Sequence, residues 1–390
     1  MRENKYSEFC TGCGLCSSLN KTELLKDEKG FYKPSNISEK DIEFFEKVCP
    51  VSGNSIDNSH NLWGTIEHAY SGWSNDTYIR RKASSGGILT SIAIFLLEND
   101  YVDGIIQTKY SKLYGTKTVI NRTRDEVISC SGSRYSISSP LLNIDEIIKN
   151  DERYAFIGKP CDVTTLRLAI LNGLFPSDKI KYFLSFFCAG MPSQEAQKKL
   201  LVELGYPQSK IDSCYHLDYR GNGWPGRATL YKDNDIISSI SYNDSWGKIL
   251  GRDVCKMCRF CIDGIGEGAD IACADYWYLD ANNEPKFDES EGRNIILSRT
   301  QLGTELLNTI HSKKYITLKE FNINELRYIQ PYQYIRRTTM RSKVYALKFM
   351  GKSYPTYNRY KLKSLSAQIT MNQKVRNFVG TIKRIYNKKI

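Results

Sequence analysis

Two cysteine triplets constrain this chain more than any other feature: Cys10-Thr-Gly-Cys13-Gly-Leu-Cys16 and Cys255-Lys-Met-Cys258-Arg-Phe-Cys261. The C-x2-C-x2-C spacing lets one tight loop direct three thiolates at a single cubane iron–sulfur cluster. In the first triplet, Gly12 and Gly14 suit a loop that needs unusual backbone angles, with amides facing the sulfurs. A fourth ligand is required, and Cys49 is the natural candidate because Pro50 follows it, as proline follows the remote cysteine of bacterial ferredoxins. For the second triplet Cys161, Cys188 and Cys273 compete, and Cys161 has the advantage of lying on a turn after a strand. The competing interpretation is a zinc knuckle, and with it a zinc-stabilised interaction module, although zinc sites usually pair two C-x2-C units rather than use a triplet. Cys130 and Cys214 read as small buried hydrophobes.

Twelve cysteines in a chain of 390 residues would form a disulfide framework only in an oxidising compartment. No stretch approaches the roughly 20 apolar residues that span a bilayer, and MRENKYSEF lacks the apolar region of a signal peptide. A cytoplasmic location is therefore expected, where clustered cysteines point to metal or redox chemistry. The net charge of +12 is localised: fifteen of the 55 Lys and Arg fall in residues 331–390, which contain no Asp or Glu. The first 330 residues are close to neutral, so the charge is no argument for nucleic acid as a partner.

The expected fold class is α/β (α+β): a small ferredoxin-like iron–sulfur module over 1–60, then an α/β flavin-binding part in two domains, 61–150 with the candidate flavin loop and 151–330 with the second cysteine cluster, then a basic helical tail over 331–390. Residues 87–97 read as a buried helix, and 101–108, 153–158 and 180–188 as apolar strands. Strands alternating with helices imply a layered α/β arrangement. Short strands and Gly-rich loops are expected between Cys214 and Ser245. From Val375 apolar residues recur at helical spacing, interleaved with Lys374, Arg376, Lys383, Arg384, Lys388 and Lys389. Such a helix has the composition of one lying on an anionic membrane surface, and equally of one packed on the body with a solvated basic rim.

Gly221-Asn-Gly223-Trp-Pro-Gly226 is no Rossmann fingerprint, because Pro225 stands where a helix would start and a strand-like RATLYK follows. The spaced glycines Gly264, Gly266 and Gly268 match such a fingerprint only superficially, and no P-loop lysine is present. Ala83-Ser-Ser-Gly-Gly87 differs: two hydroxyls and two glycines precede a helix whose free amides favour an anion such as a flavin phosphate.

Together CTGCGLC with Cys49-Pro50, ASSGG with Thr90, GSRY at 132–135, FIGKPCD at 156–162, FFCAGMPS at 186–193, YRGNGWPG at 219–226 and the ADI segment ending at Asp275 and Trp277 resemble one family. It is the beta-subunit family of coenzyme F-420 hydrogenases and dehydrogenases, iron–sulfur flavoproteins. The resemblance implies 4Fe-4S clusters and FAD, with Ser85, Gly86, Gly87 and Thr90 as the flavin loop and Arg134 and Tyr135 close by. It implies Lys159 and Arg220 as cations near a flavin or an anionic substrate, where positive charge stabilises reduced anionic flavin. The family commonly shows a cysteine pair where this chain has Cys258 and Cys261, so Cys255 is a departure. The extension after Tyr332 looks like that of members encoded with surface-polysaccharide genes. The implied function is an oxidoreductase passing electrons from ferredoxin or a deazaflavin through clusters and FAD to an organic, small-molecule or sugar-type acceptor, with a non-catalytic electron-transfer subunit as the second reading.

Overall fold

The structure is a computed structural model, and it describes residues 2–57, 59–112, 115–206 and 215–387. Cys214, Lys388 and Lys389 lie outside the described residues.

In chain order the strands are β1 (Leu24–Lys26), β2 (Tyr32–Pro34), β3 (His68–Ser74), β4 (Gly104–Lys112), β5 (Gly115–Asn121), β6 (Tyr154–Gly158) and β7 (Ile180–Phe186). They continue with β8 (Tyr215–Asp218), β9 (Arg227–Lys232), β10 (Asp235–Ser241), β11 (Ile271–Asp275), β12 (Asn294–Ser298) and β13 (Ile316–Glu320). Eight of them form one mixed sheet in the order β13-β3-β12-β11-β7-β6-β4-β5, while β8 to β10 make a separate three-stranded sheet and β1 with β2 a hairpin. Within the large sheet β4, β6, β7 and β11 run parallel. The three strands expected from apolar runs are thus β4, β6 and β7, side by side between β11 and the edge strand β5.

Their alternation divides two cores. Ala155, Tyr182, Leu184 and Ile105 pack on one face with the helix Ile88–Glu98. That helix is apolar nearly all round because it is buried nearly all round, with Ile92, Ala93, Ile94 and Leu96 inaccessible. Tyr154, Phe156, Phe183 and Ile106 face the other way, onto the helix Pro160–Leu171 and the cysteine-bearing N-terminal residues Phe9, Leu15 and Val48.

Met340, Val344, Leu347, Leu362 and Ile385 join this second core, so the basic extension is not an appendage. It forms four main helices, Pro331–Thr338, Met340–Phe349, Arg359–Ala367 and Met371–Tyr386. Three of its cations are buried: Arg336, Arg337 and Lys361. Arg337 pairs with Glu267 at 2.7 Å and donates from Nε to the carbonyl of Leu62. Lys361 reaches Asp57 at 3.0 Å and Glu267 at 2.7 Å. A single acidic core thus ties the extension to both earlier halves of the chain. No helix among the described residues is long and apolar enough to cross a membrane.

Candidate functional site

The first triplet lies between two short helices, with Gly12 and Gly14 both in the left-handed region. Gly14 has a second reason to be glycine: a Cβ there would stand 2.7 Å from the backbone of Leu142, a clash that no side-chain motion relieves. The amide of Leu141 donates to the carbonyl of Cys13 at 2.8 Å, and that of Gly12 to the sulfur of Cys10 at 3.2 Å. The helix Glu39–Val48, started by a Ser38 capping box, ends at Cys49 with Pro50 following. Its end delivers Cys49 to the triplet, since the Cys16 thiol is raised by burial and then by Cys13, Cys10 and Cys49 in turn. Burial pushes the Cys10 thiol up to about 12, with Lys33 pulling the other way.

The second group draws on three separate parts of the chain. Cys161 sits in the first turn of the helix that follows β6, Cys188 follows β7, and Cys258 and Cys261 belong to the second triplet. These four line one cavity of about 80 Å³ together with Lys159, Arg336 and Lys361. Burial, reinforced by Asp162, drives the Cys161 thiol far up, and the Cys188 and Cys261 thiols add to it. Burial likewise takes Cys261 to about 12. Cys255 does not line the cavity. Its sulfur donates to the carbonyl of Cys10 at 3.4 Å, and its contact with the neighbouring Cys258 thiol lowers the pKa of its own thiol against the effect of burial. It therefore stands between the two cysteine groups. Cys273 is buried in β11, within the other core.

Buried thiols of this kind cannot readily ionise alone; the iron of a cluster would supply the charge that makes them thiolates. No three Cys, His, Asp or Glu among the described residues converge on one metal ion. Four cysteines in each group make up the all-sulfur donor set that a 4Fe-4S cluster takes.

Beside the second group opens a larger cavity, about 490 Å³, at the carboxyl ends of the parallel strands. Gly158 and Lys159 at the end of β6, Phe187 and Cys188 after β7, and Asp275 closing β11 all line it. This is the edge at which open α/β sheets bind their ligands. Ser85, Gly87, Thr90, Arg134, Tyr135, Lys159 and Arg220 line it as well, so seven of the eight residues named as flavin-contacting or cationic converge here. Gly86 does not: its Cβ would meet Asn294 Oδ1 at 2.7 Å and the carbonyl of Gly72 at 2.9 Å, so it sets the loop against the sheet rather than the cavity. Ser133 donates to Ser84 at 2.8 Å, joining this loop to the one that carries Arg134 and Tyr135. Arg134 stacks on Tyr110, and its buried Nε has no partner among the described residues.

The two cations differ. Arg220 is buried and engaged by Asp275 at 3.0 Å, with its guanidinium against Tyr242 and Trp277, so its charge is already compensated. Lys159 donates to Ser138 at 2.8 Å and pairs with Asp162 at 2.7 Å. Burial opposes its charge, yet Asp162 keeps its ammonium above the ordinary range. Lys159, Cys188, Gly190 and Met191 line both cavities, and form the wall between them. Sequence reasoning did not single out Arg336, whose only local signal is a basic helix, nor Asn294, which braces the Gly86 loop.

Fold and site together define a cysteine-rich α/β oxidoreductase with a cofactor-sized cavity at its sheet edge. Comparison with known proteins gives the family: residues 69–144 match the amino-terminal family model of "Coenzyme F420 hydrogenase/dehydrogenase, beta subunit", and residues 151–323 match its carboxyl-terminal counterpart. The chain belongs to this coenzyme F420 hydrogenase/dehydrogenase beta-subunit family. It is 22% identical to coenzyme F420 hydrogenase subunit beta of Methanococcus voltae over 68% of this chain and 88% of that one. It is 24% identical to the F420-dependent formate dehydrogenase subunit beta of Methanocaldococcus jannaschii over 73% of this chain and 70% of that one. A chain in the structure of the F420-reducing NiFe hydrogenase complex from Methanosarcina barkeri shares the fold, with a TM-score of 0.58 and 19% identity over 78% of this chain and all of that one.

Proposed function

We propose that Cys10, Cys13, Cys16 and Cys49 hold one 4Fe-4S cluster, that Cys161, Cys188, Cys258 and Cys261 hold a second, and that FAD occupies the 490 Å³ cavity. Clusters supply one-electron transfer and a flavin the change to two-electron chemistry. The observation that carries this reading is the shared wall of Lys159, Cys188, Gly190 and Met191, a single layer in which Cys188, one of the second group's own cysteines, lines both cavities. The start of the helix at Ile88, with Ser85 and Gly87 before it, offers amides to a phosphate. Arg134, which lines the cavity, supplies a further cation for an anion bound there. Lys159 holds a positive charge at the wall, while Tyr135, Tyr242, Trp246 and Trp277 keep water from the reacting face. The donor is ferredoxin or a deazaflavin, and the acceptor an organic molecule, of sugar type if the resemblance to polysaccharide-cluster members extends to substrate.

Purification without oxygen tests the reading through iron, acid-labile sulfide and noncovalent flavin. Brown absorption that dithionite bleaches is expected; stoichiometric zinc without sulfide would overturn it. A second reading, a non-catalytic electron-transfer subunit, is favoured by likeness to one chain of a hydrogenase complex. Turnover of an acceptor by the isolated chain would exclude it. Association with an anionic membrane is supported by a stripe of exposed Met371, Val375, Val379 and Tyr386 on the last helix, with exposed Phe349 packed beside Phe378.

A further inference from the structure

Among the buried neighbours of the second cysteine group that lie outside both family-matched segments, Arg336 of the extension differs from Lys361 in having no carboxylate partner among the described residues. It is 3% exposed. Its Nη2 donates to the carbonyl of Cys188 at 2.8 Å and to Gln333 Oε1 at 2.5 Å, and its Nη1 to the carbonyl of Cys258 at 3.5 Å. Its Nε is buried with no partner among the described residues. The ring of Tyr332 lies 5.2 Å away. The adjacent Arg337 pairs with Glu267, but among the described residues no carboxylate is hydrogen-bonded to or ion-paired with Arg336.

A full positive charge out of water without a negative partner is costly. The cavity that it lines holds the four cysteines together with Asp263 and Glu267; Glu267 is taken by Arg337 and Lys361 and Asp263 by Thr164 and the Glu267 amide, while Lys159 is paired with Asp162, which leaves the cysteines as the groups whose negative charge Arg336 would answer. With iron bound, four thiolates and four sulfides outweigh the metal charge, and reduction adds one more negative charge. We infer that Arg336 is the built-in counter-charge of the second cluster, a positioning residue that raises its reduction potential by stabilising the reduced state. This rests on the two-cluster reading above. Electron balance is simple: the donor loses one electron, the cluster gains it, and Arg336 changes neither its bonding nor its proton count. The fold makes room for the guanidinium at Gly264, where a Cβ would stand 1.4 Å from Nη2 and 2.5 Å from Gln333 Oε1. Gly264 is not held at positive φ, so alanine is conformationally tolerable there and would displace the guanidinium instead. Placing the cation on an element outside the family-matched segments would let this chain set a potential of its own, using charge and hydrogen bonding near the sulfurs as the levers.

The test is potentiometric titration of the full-length protein followed by electron paramagnetic resonance, with the second-cluster signal assigned as the one that Cys258→Ser removes. Arg336→Gln is expected to move the midpoint of that signal to lower potential and leave the other unmoved, with Arg336→Lys restoring most of the shift. Gly264→Ala is expected to lower the same midpoint with the arginine still in the chain, and it decides the question if Arg336→Gln does not load iron. Full iron and sulfide in Gly264→Ala and Arg336→Gln with both midpoints unchanged would overturn the inference alone. A wild-type protein with no Cys258-dependent signal would overturn it together with the two-cluster reading.

Discussion

Replacing Lys361 with methionine tests whether the basic extension is welded to the body or merely attached. The substitution keeps most of the side-chain length and removes the charge. Lys361 is 2% exposed, and its ammonium is shared between Asp57 at 3.0 Å and Glu267 at 2.7 Å, both buried. Without it Glu267 keeps Arg337, and Asp57 keeps only the hydroxyls of Thr65 and Ser59 and nearby amides. Removing one partner of a buried ion pair costs about 3–5 kcal/mol, because the other charge stays behind. With an unfolding entropy of about 2.1 cal/mol/K per residue, 390 residues give about 0.8 kcal/mol/K, so Tm should fall by about 4–6 °C. The deficit should carry a pH signature. Burial would raise the Asp57 carboxyl, but Thr65 and Lys361 hold it at about 2, and Arg337 with Lys361 lowers Glu267 against the same burial. Depressed carboxylates stabilise the wild type above the ordinary carboxylate range, and this contribution is lost as pH falls through the folded value near 2. In the variant both carboxyls rise, so the gap in Tm should be widest near neutrality and narrow below about pH 4. Thermal melts of anaerobically prepared wild-type and Lys361→Met protein across that range make the comparison. Equal Tm values at pH 7 would refute the claim that this charge cluster holds the extension.

Other outcomes follow from the same geometry. Cys13→Ser and Cys188→Ser should each remove about half of the iron by colorimetric assay, while Cys273→Ala should leave it; loss of all iron from either serine variant would point to one shared site. Gly86→Val should release most of the noncovalent flavin while iron is retained, because a side chain there strikes Asn294 and the backbone of Gly72 and shifts the loop; full flavin in the purified variant would move the cofactor elsewhere. If the exposed stripe lies on membranes, the protein should pellet with anionic but not neutral vesicles at low salt, and Val375→Asp with Val379→Asp should keep it in the supernatant. Wild-type protein left in the supernatant with anionic vesicles would end that reading.

What the sequence makes legible is what short spacing encodes. The strands β6 and β7 are readable because each is a largely apolar run, as strands inside a parallel sheet tend to be, and β4 is readable only in its first half, at Ile105 and Ile106. The helix at Ile88 announces itself through Gly87 and the apolar run from Ile92 to Leu97. The triplet spacing draws Cys255, Cys258 and Cys261 together on paper, yet in space Cys258 and Cys261 share a cavity with Cys161 and Cys188, and Cys255 turns to Cys10. Nothing local distinguishes these, since the partners come from loops that the sheet alone makes adjacent. The extension shows the opposite difficulty. Fifteen cations without an acid read as a solvated or membrane-facing surface, but the acids that bury Arg337 and Lys361 lie far upstream, in Asp57 and Glu267. The last helix divides the two expectations: Ile385 and Thr381 are buried against the body, whereas Val375 and Val379 remain exposed.

The contact between the sulfur of Cys255 and the carbonyl of Cys10 spans 245 residues. At ~5–20 residues per second, a ribosome makes the second partner about 12–50 s after the first. During that interval the N-terminal cysteine loop also waits for Leu141 and Leu142, which brace Cys13 and Gly14. The first triplet is therefore written early but walled late, and its sulfurs stay open to solvent and oxidant while the rest of the chain emerges. Iron delivered to the nascent loop would meet ligands without their enclosure. The wall of the first cysteine group is therefore complete only once the second triplet has been made, which ties the two groups together in folding even though their cysteines are separate.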